Sequence, residues 1–170
     1  MATFAFLRAV NLGKHNKVPM KQLMEVLASE VKEPVTYLLA SGNLIFPEGA
    51  PADAAGLLRQ VIAREFSVET DAIMRDSDSL RTLIDTNPYG VPETGSVQIS
   101  IWDAEPSDEG LARLAALEHV PDQLTLVPGA AIIRYADSSH DSKLSNNLVM
   151  RHLKVPATLR NVKTFIRLID

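Results

Sequence analysis

The hydrophobic period of this chain switches between strand-like and helical values in a set order, and that order restricts the folds open to it. Thr3 to Val10 is an apolar run with β-formers, read as a strand. After a polar loop from Asn11 to Lys17, Pro19 suits the first turn of a helix. Met20, Leu23, Met24 and Leu27 then recur at i, i+3, i+4, i+7. Thr36 to Ala40 and Leu44 to Phe46 are short strand-like runs. Ser41-Gly42 between them reads as a tight hairpin turn or as a bulge in one longer strand. Asp53 is a natural N-cap for a helix carrying Ala54, Leu57, Leu58, Val61, Ile62 and Phe66. Asp71 to Arg75 is a strand, and Asp76, Ser77 or Asp78 can cap a helix through Leu80, Leu83 and Ile84.

Residues 1–75 therefore run β-α-β-β-α-β, the ferredoxin-like split βαβ order. The Pro- and Gly-rich stretch after it marks a domain boundary. The second half repeats the theme. Val97 to Trp102 is a strand, Pro106 to Leu117 a helix, and two strand-like runs flank Pro128-Gly129 as a second hairpin. Lys143 to Leu153 is helical, and Thr158 can cap a last helix carrying Val162, Phe165, Ile166 and Ile169. No fourth strand is visible here; either the second unit is incomplete or a helix takes that place. The expected fold class is α/β of the α+β type, with two ferredoxin-like units. They span residues 1–88 and 96–170, the latter with two terminal helices, joined by a linker over 89–95.

Four polar motifs interrupt this pattern. They are Leu7-Arg8-Ala9-Val10-Asn11-Leu12-Gly13, Ser41-Gly42-Asn43, Ser142-Lys143-Leu144-Ser145-Asn146 and Ala157-Thr158-Leu159-Arg160-Asn161. Their order and spacing resemble domain-of-unknown-function family 1697, a bacterial group of about this length. The resemblance runs from Phe4 to Leu168 and departs at Val162 and Lys163, where the family commonly has an aromatic and another amide. It implies two ferredoxin-like α/β units and no particular activity.

Composition excludes several function classes. At 46% hydrophobic and 22% charged, the chain is globular in character. The absence of cysteine removes disulfides and thiolate sites. No apolar run is long enough for a membrane span, and the first residues lack a signal-peptide pattern, so the expected location is the cytoplasm. A net charge of −4 argues against nucleic-acid binding by bulk electrostatics. His15, His119, His140 and His152 are far apart and lack paired ligand spacing, so no metal is expected. No dinucleotide fingerprint follows a strand, and no cofactor is expected. Ser139-His140-Asp141 holds triad residue types, but three adjacent residues do not make a triad.

The motifs suit an anion. Arg8 near the end of a strand must be paired or at an edge, and the loop after it is locally basic through Lys14, His15 and Lys17. Lys143 and Arg160 each read as a cation in the first turn of a helix, the wrong sign for the dipole. One expectation is a small anionic or phosphorylated ligand in a cleft between the two units. Arg8, Lys17, Lys143 and Arg160 would supply charge, and Asn11, Asn43 and Asn161 would supply orientation. A second is a structural or interaction module whose motifs only lock turns and helix ends. A third is nucleic-acid binding on a ferredoxin-like sheet, which the 5% aromatic content disfavours.

Overall fold

A computed structural model of the chain describes residues 1–117 and 119–170. Its elements run β1 (Thr3–Leu7), α1 (Met20–Glu30), β2 (Thr36–Leu38), β3 (Asn43–Phe46), α2 (Ala54–Phe66), β4 (Ala72–Asp76) and α3 (Ser77–Asp85). The same order recurs in β5 (Ser96–Ile101), α4 (Asp108–Ala115), β6 (Gln123–Val127), β7 (Ala130–Tyr135), α5 (Asn146–Leu153), β8 (Thr158–Asn161) and α6 (Val162–Ile169). The strands form two four-stranded antiparallel sheets, ordered β2-β3-β1-β4 and β6-β7-β5-β8. Both follow the ferredoxin-like order, and the chain is α+β. Packing divides it into Met1–Ser79 and Leu80–Asp170, a division that falls within α3.

In the first unit, alternation decides which face is covered. Ala5 and Leu7 of β1 share a face with Leu44 and Phe46 of β3 and Ala72 of β4. These pack with Met20, Leu23 and Leu27 of α1 and with Leu58, Val61 and Ile62 of α2. Helix α2 starts where Asp53 accepts the Gly56 backbone N–H at 3.2 Å. It ends at Ser67 in the left-handed region. Asp76 accepts the Ser79 N–H at 2.8 Å at the start of α3. Hydrogen bonding to Ser79 holds that carboxyl below its usual value. The Ser41-Gly42 stretch is a hairpin turn and not a bulge, because Leu38 pairs with Asn43 across it. Gly42 is required there. Its φ is +83°, and a Cβ would stand 2.8 Å from the Leu7 Cβ.

In the second unit, Ala131, Ile133 and Tyr135 of β7 pack with Leu114 of α4 and with Val149 and Leu153 of α5. The helix-facing positions of β5 are polar. Ser100 pairs with Ala131 and Gln98 with Ile133, while Val97, Ile99 and Ile101 take the opposite face.

Two expectations for this unit are corrected. The fourth strand exists: Thr158–Asn161 is β8, paired antiparallel with β5 from Gln98↔Asn161 to Ile101↔Thr158. Four residues running straight into a helix give too little alternation to read as a strand, and Thr158 mimics a cap. The cap of α6 is instead Asn161, which accepts the Lys163 N–H at 2.9 Å. Helix α5 likewise begins at Asn146, not Lys143. Ser145 is its cap, accepting the Leu148 N–H at 3.2 Å. Lys143 and Arg160 are therefore not first-turn cations: Lys143 precedes the cap, and Arg160 is a strand residue. The dipole argument made for them from sequence does not apply.

Candidate functional site

Strand β1 ends at Leu7, whose N–H donates to the Gly42 carbonyl at 2.8 Å. The hairpin turn before β3 thus lies at the same end of the sheet as the loop after β1. Asn11 fastens the two together. Its amide donates to the carbonyls of Ala40 (2.7 Å) and Val18 (2.9 Å), and its oxygen accepts the Val18 N–H at 2.8 Å. Asn16 closes the loop by donating to the Ala9 carbonyl at 2.9 Å. Ala9, Asn11 and Asn16 all have positive φ, and such backbone persists only where neighbouring bonds hold it. Asn43 is fully buried and donates to Leu38 O at 2.6 Å and to Ser41 Oγ at 3.2 Å. Asn43 pairs with Phe6 near the end of β1, and Arg8 and Asn11 follow that strand; both amides bond to backbone carbonyls, the Val18 N–H and the Ser41 hydroxyl.

The cations are placed differently. Lys14, His15 and Lys17 are exposed on the loop. Arg8 is partly buried, and its guanidinium lies 3.5 Å from Asp71 Oδ2. The Arg8 N–H also donates to the Asp71 carbonyl at 2.9 Å, continuing the pairing of β1 with β4 beyond Leu7↔Ala72. Arg59, on α2, reaches the other carboxylate oxygen through Nε at 3.1 Å. The two guanidiniums border an open groove of about 410 Å³ with Thr70 and Glu69. Thr70 donates to the Arg8 carbonyl at 2.6 Å. Arg59 and Asp71 escaped the sequence reading. The signal was there once β1 is paired with β4, since Asp71 then stands opposite Arg8.

In the second unit the Ser142–Asn146 motif acts as a clasp. Ser142 Oγ donates to Asp122 Oδ2 at 2.5 Å and accepts the Leu144 N–H at 3.0 Å. Ser145 caps α5. The Asn146 amide accepts from the buried Ser100 hydroxyl at 2.7 Å and donates to Ala157 O at 3.0 Å, joining α5 to β5 and to the approach to β8. Lys143 is exposed. Arg160 donates to Thr158 Oγ1 at 2.7 Å and Leu159 O at 3.0 Å. Burial pulls its pKa down to about 10, so it stays charged at neutral pH. It alternates with Leu159, which packs on the α4/α5 side, and so belongs to the other sheet face. Lys143 adjoins the α4/α5 core through Leu144, so these two cations do not share a face.

A cavity of about 590 Å³ also lies in this unit, among Leu117, His119, Asp122, Lys143 and Leu148. Burial holds the His119 imidazole below its ordinary value, against a bond to the Leu114 backbone and the charge of Asp122. Tyr135 donates to the Leu144 carbonyl at 2.5 Å, and burial pushes its phenol up to about 12. Among the described residues no group of three or more His, Cys, Asp or Glu could hold a metal ion. None of their helices is long and apolar enough to cross a membrane.

The profile of a family described as "Protein of unknown function (DUF1697)" matches residues 1–131. In structure the chain is similar to the conserved bacterial protein SP0830 from Streptococcus pneumoniae. The TM-score is 0.73 at 20% sequence identity, over 98% of this chain and 96% of that one. At that identity the likeness carries the fold alone. No curated protein matches the chain.

Proposed function

The chain belongs to the DUF1697 family of proteins of unknown function, and we propose that it binds a small anionic or phosphorylated ligand in the groove of its first unit. The observation that carries this reading is the convergence of two guanidiniums, Arg8 and Arg59, on the single carboxylate of Asp71. Arg59 reaches Asp71 through Nε, so its terminal nitrogens remain for a ligand oxygen in the fork geometry that suits phosphate. The surrounding charge agrees. Between Arg8 and Met24 the sequence carries Arg8, Lys14, Lys17 and Lys21 and no carboxylate, within a chain of net charge −4. Lys17 is exposed on the loop that follows β1, and Asn11 and Asn43 hold the loop and the turn in place rather than touching the ligand. Any catalysis at such a site would be electrostatic.

Thermal shift and calorimetry with inorganic phosphate, sulfate and a nucleoside diphosphate test the proposal on wild type, Arg59→Ala and Lys17→Ala. Saturable stabilisation of the wild type is expected. Arg59→Ala should lose about 1.5–3 kcal/mol of binding, the value of a charge-assisted bond. It should keep its melting point within the ~0–1 kcal/mol of a surface ion pair. No saturable response to any of the three anions would defeat the reading.

A structural or interaction module is the second reading. It is favoured by the use of Asn11, Asn43 and Asn161 on backbone groups and the Ser41 hydroxyl. It requires the anions to be without effect while Asn11→Ala and Asn43→Ala lower stability.

A further inference from the structure

Each sheet ends in two edge strands, and an edge strand offers unpaired N–H and C=O groups to any extended chain. Of the four edges that the described residues form, three carry a feature that protects against such pairing. Strand β2 is only three residues long. Strand β4 carries Arg75 and Asp76, and β8 carries Arg160. Strand β6 has neither safeguard. Gln123-Leu124-Thr125-Leu126-Val127 is five residues long, uncharged, and without Pro or Gly. It pairs with β7 along its whole length. Among the described residues, no backbone group of 123–127 bonds to anything else. Gln123 is exposed and the other four are half-buried, whereas five of the six residues of β7 are buried.

The two faces beside this edge are already fixed. Leu124 and Leu126 pack on the core beneath α4 and α5, opposite Ile133 and Ala131 of β7. Thr125 takes the other face, where its hydroxyl and that of Tyr89 bond at 2.6 Å. What pairs with the edge follows from the order of residues along it. About Thr125 the strand reads nearly the same in both directions, Leu124 matching Leu126. In an antiparallel pair with a second copy, directly opposite residues share a face. Centred on Thr125, such a pair sets each Leu124 against the second copy's Leu126 on the helix-covered face. Thr125 meets Thr125 on the other face, and no like charges oppose each other. A two-fold axis through the pair makes the contact closed and self-complementary.

We propose that β6 is a self-association edge: two copies of this chain join β6 to β6, antiparallel in the register Thr125↔Thr125, into one eight-stranded sheet. Nothing in this pairing involves the anion groove of the first unit, so either can fail without the other.

Sedimentation velocity on the full chain tests it. Wild type should pass from monomer to dimer between about 1 µM and about 1 mM, the range of a small interface. Thr125→Lys sets two ammoniums against each other on the axis and should weaken the dimer about tenfold or more. Charge sign reads the register. Gln123→Lys with Val127→Lys opposes like charges at both ends of the ladder and should weaken the dimer. Gln123→Lys with Val127→Glu opposes unlike charges and should restore it. The chain has no cysteine, so Thr125→Cys should form an intermolecular disulfide under mild oxidation, and faster than Gln123→Cys, which stands two residues off the axis. A chain that remains monomeric to about 1 mM would overturn the proposal and leave the edge to an unrelated extended segment. A dimer that is indifferent to charge sign at 123 and 127, or that Thr125→Cys does not trap, would overturn it as well. Should Thr125→Lys fail to fold, the two double variants and the cross-link still decide.

Discussion

Asn11 shows how much one side chain can do in this protein. It makes three hydrogen bonds while sitting at φ +54°, a conformation that Asn tolerates better than other residues. Asn11→Ala would leave a backbone N–H and two carbonyls unsatisfied and place Ala in the left-handed region. The expected loss is about 2–4 kcal/mol by denaturant unfolding. Tyr135 makes a second prediction. Tyr135→Phe removes the donor to Leu144 O in the core, at an expected cost of about 1–2 kcal/mol. The group also sets an alkaline limit. Its folded pKa of about 12 lies above the unfolded value near ~10, so the unfolded chain releases the proton first. The stability it contributes is whole below about pH 10 and is lost as pH rises through about 12. Urea melts of wild type and Tyr135→Phe across that range should converge.

At the level of elements, short helices here depend on their caps. Helix α5 has only eight residues and no acidic residue in its first turn, so Ser145 carries much of its start. Ser145→Ala should cost about 1 kcal/mol, read as a lower melting temperature. Anion response should be unchanged, since the groove lies in the other unit. The second clasp, from Ser100 through Asn146 to Ala157, explains a polar position in the middle of β5. The Ser100 hydroxyl is tolerated on a buried face because it has a partner. Strand β8 and helix α6 share Asn161, which ends one and caps the other. Thr158, which looks like a helix start in the sequence, therefore belongs to a strand, and the true cap is Asn161 at the strand's end.

At the scale of the whole molecule, a net charge of −4 coexists with a cationic stretch from Arg8 to Lys21. Binding at the proposed groove should therefore weaken with salt. Phosphate affinity is expected to fall steadily as ionic strength rises from about 0.01 to 0.5 M, where the Debye length shrinks from about 30 to a few ångströms. An affinity flat across that range would locate the anion elsewhere or nowhere. The amino-acid sequence alone determined the βαββαβ order of the first half, the positions of α1 and α2 and the hairpin at Pro128-Gly129, while the choice of a hairpin over a bulge at Ser41-Gly42 came from the pairing of β2 with β3. Local period, Gly and Pro placement and an Asp cap carry that information within a few residues. It also marked Arg8, Asn11 and Asn43, which the antiparallel pairing of β1 with β3 brings to one end of the sheet. Only the tertiary structure identified β8, because four residues cannot establish a period and their strand character comes from pairing with β5. Only it turned Asn11, Asn43 and Asn161 from ligand candidates into fasteners, since an amide's partner is fixed by whatever carbonyl packing brings near. Only it joined Arg59 and Asp71 to Arg8, because that contact depends on residues distant in sequence.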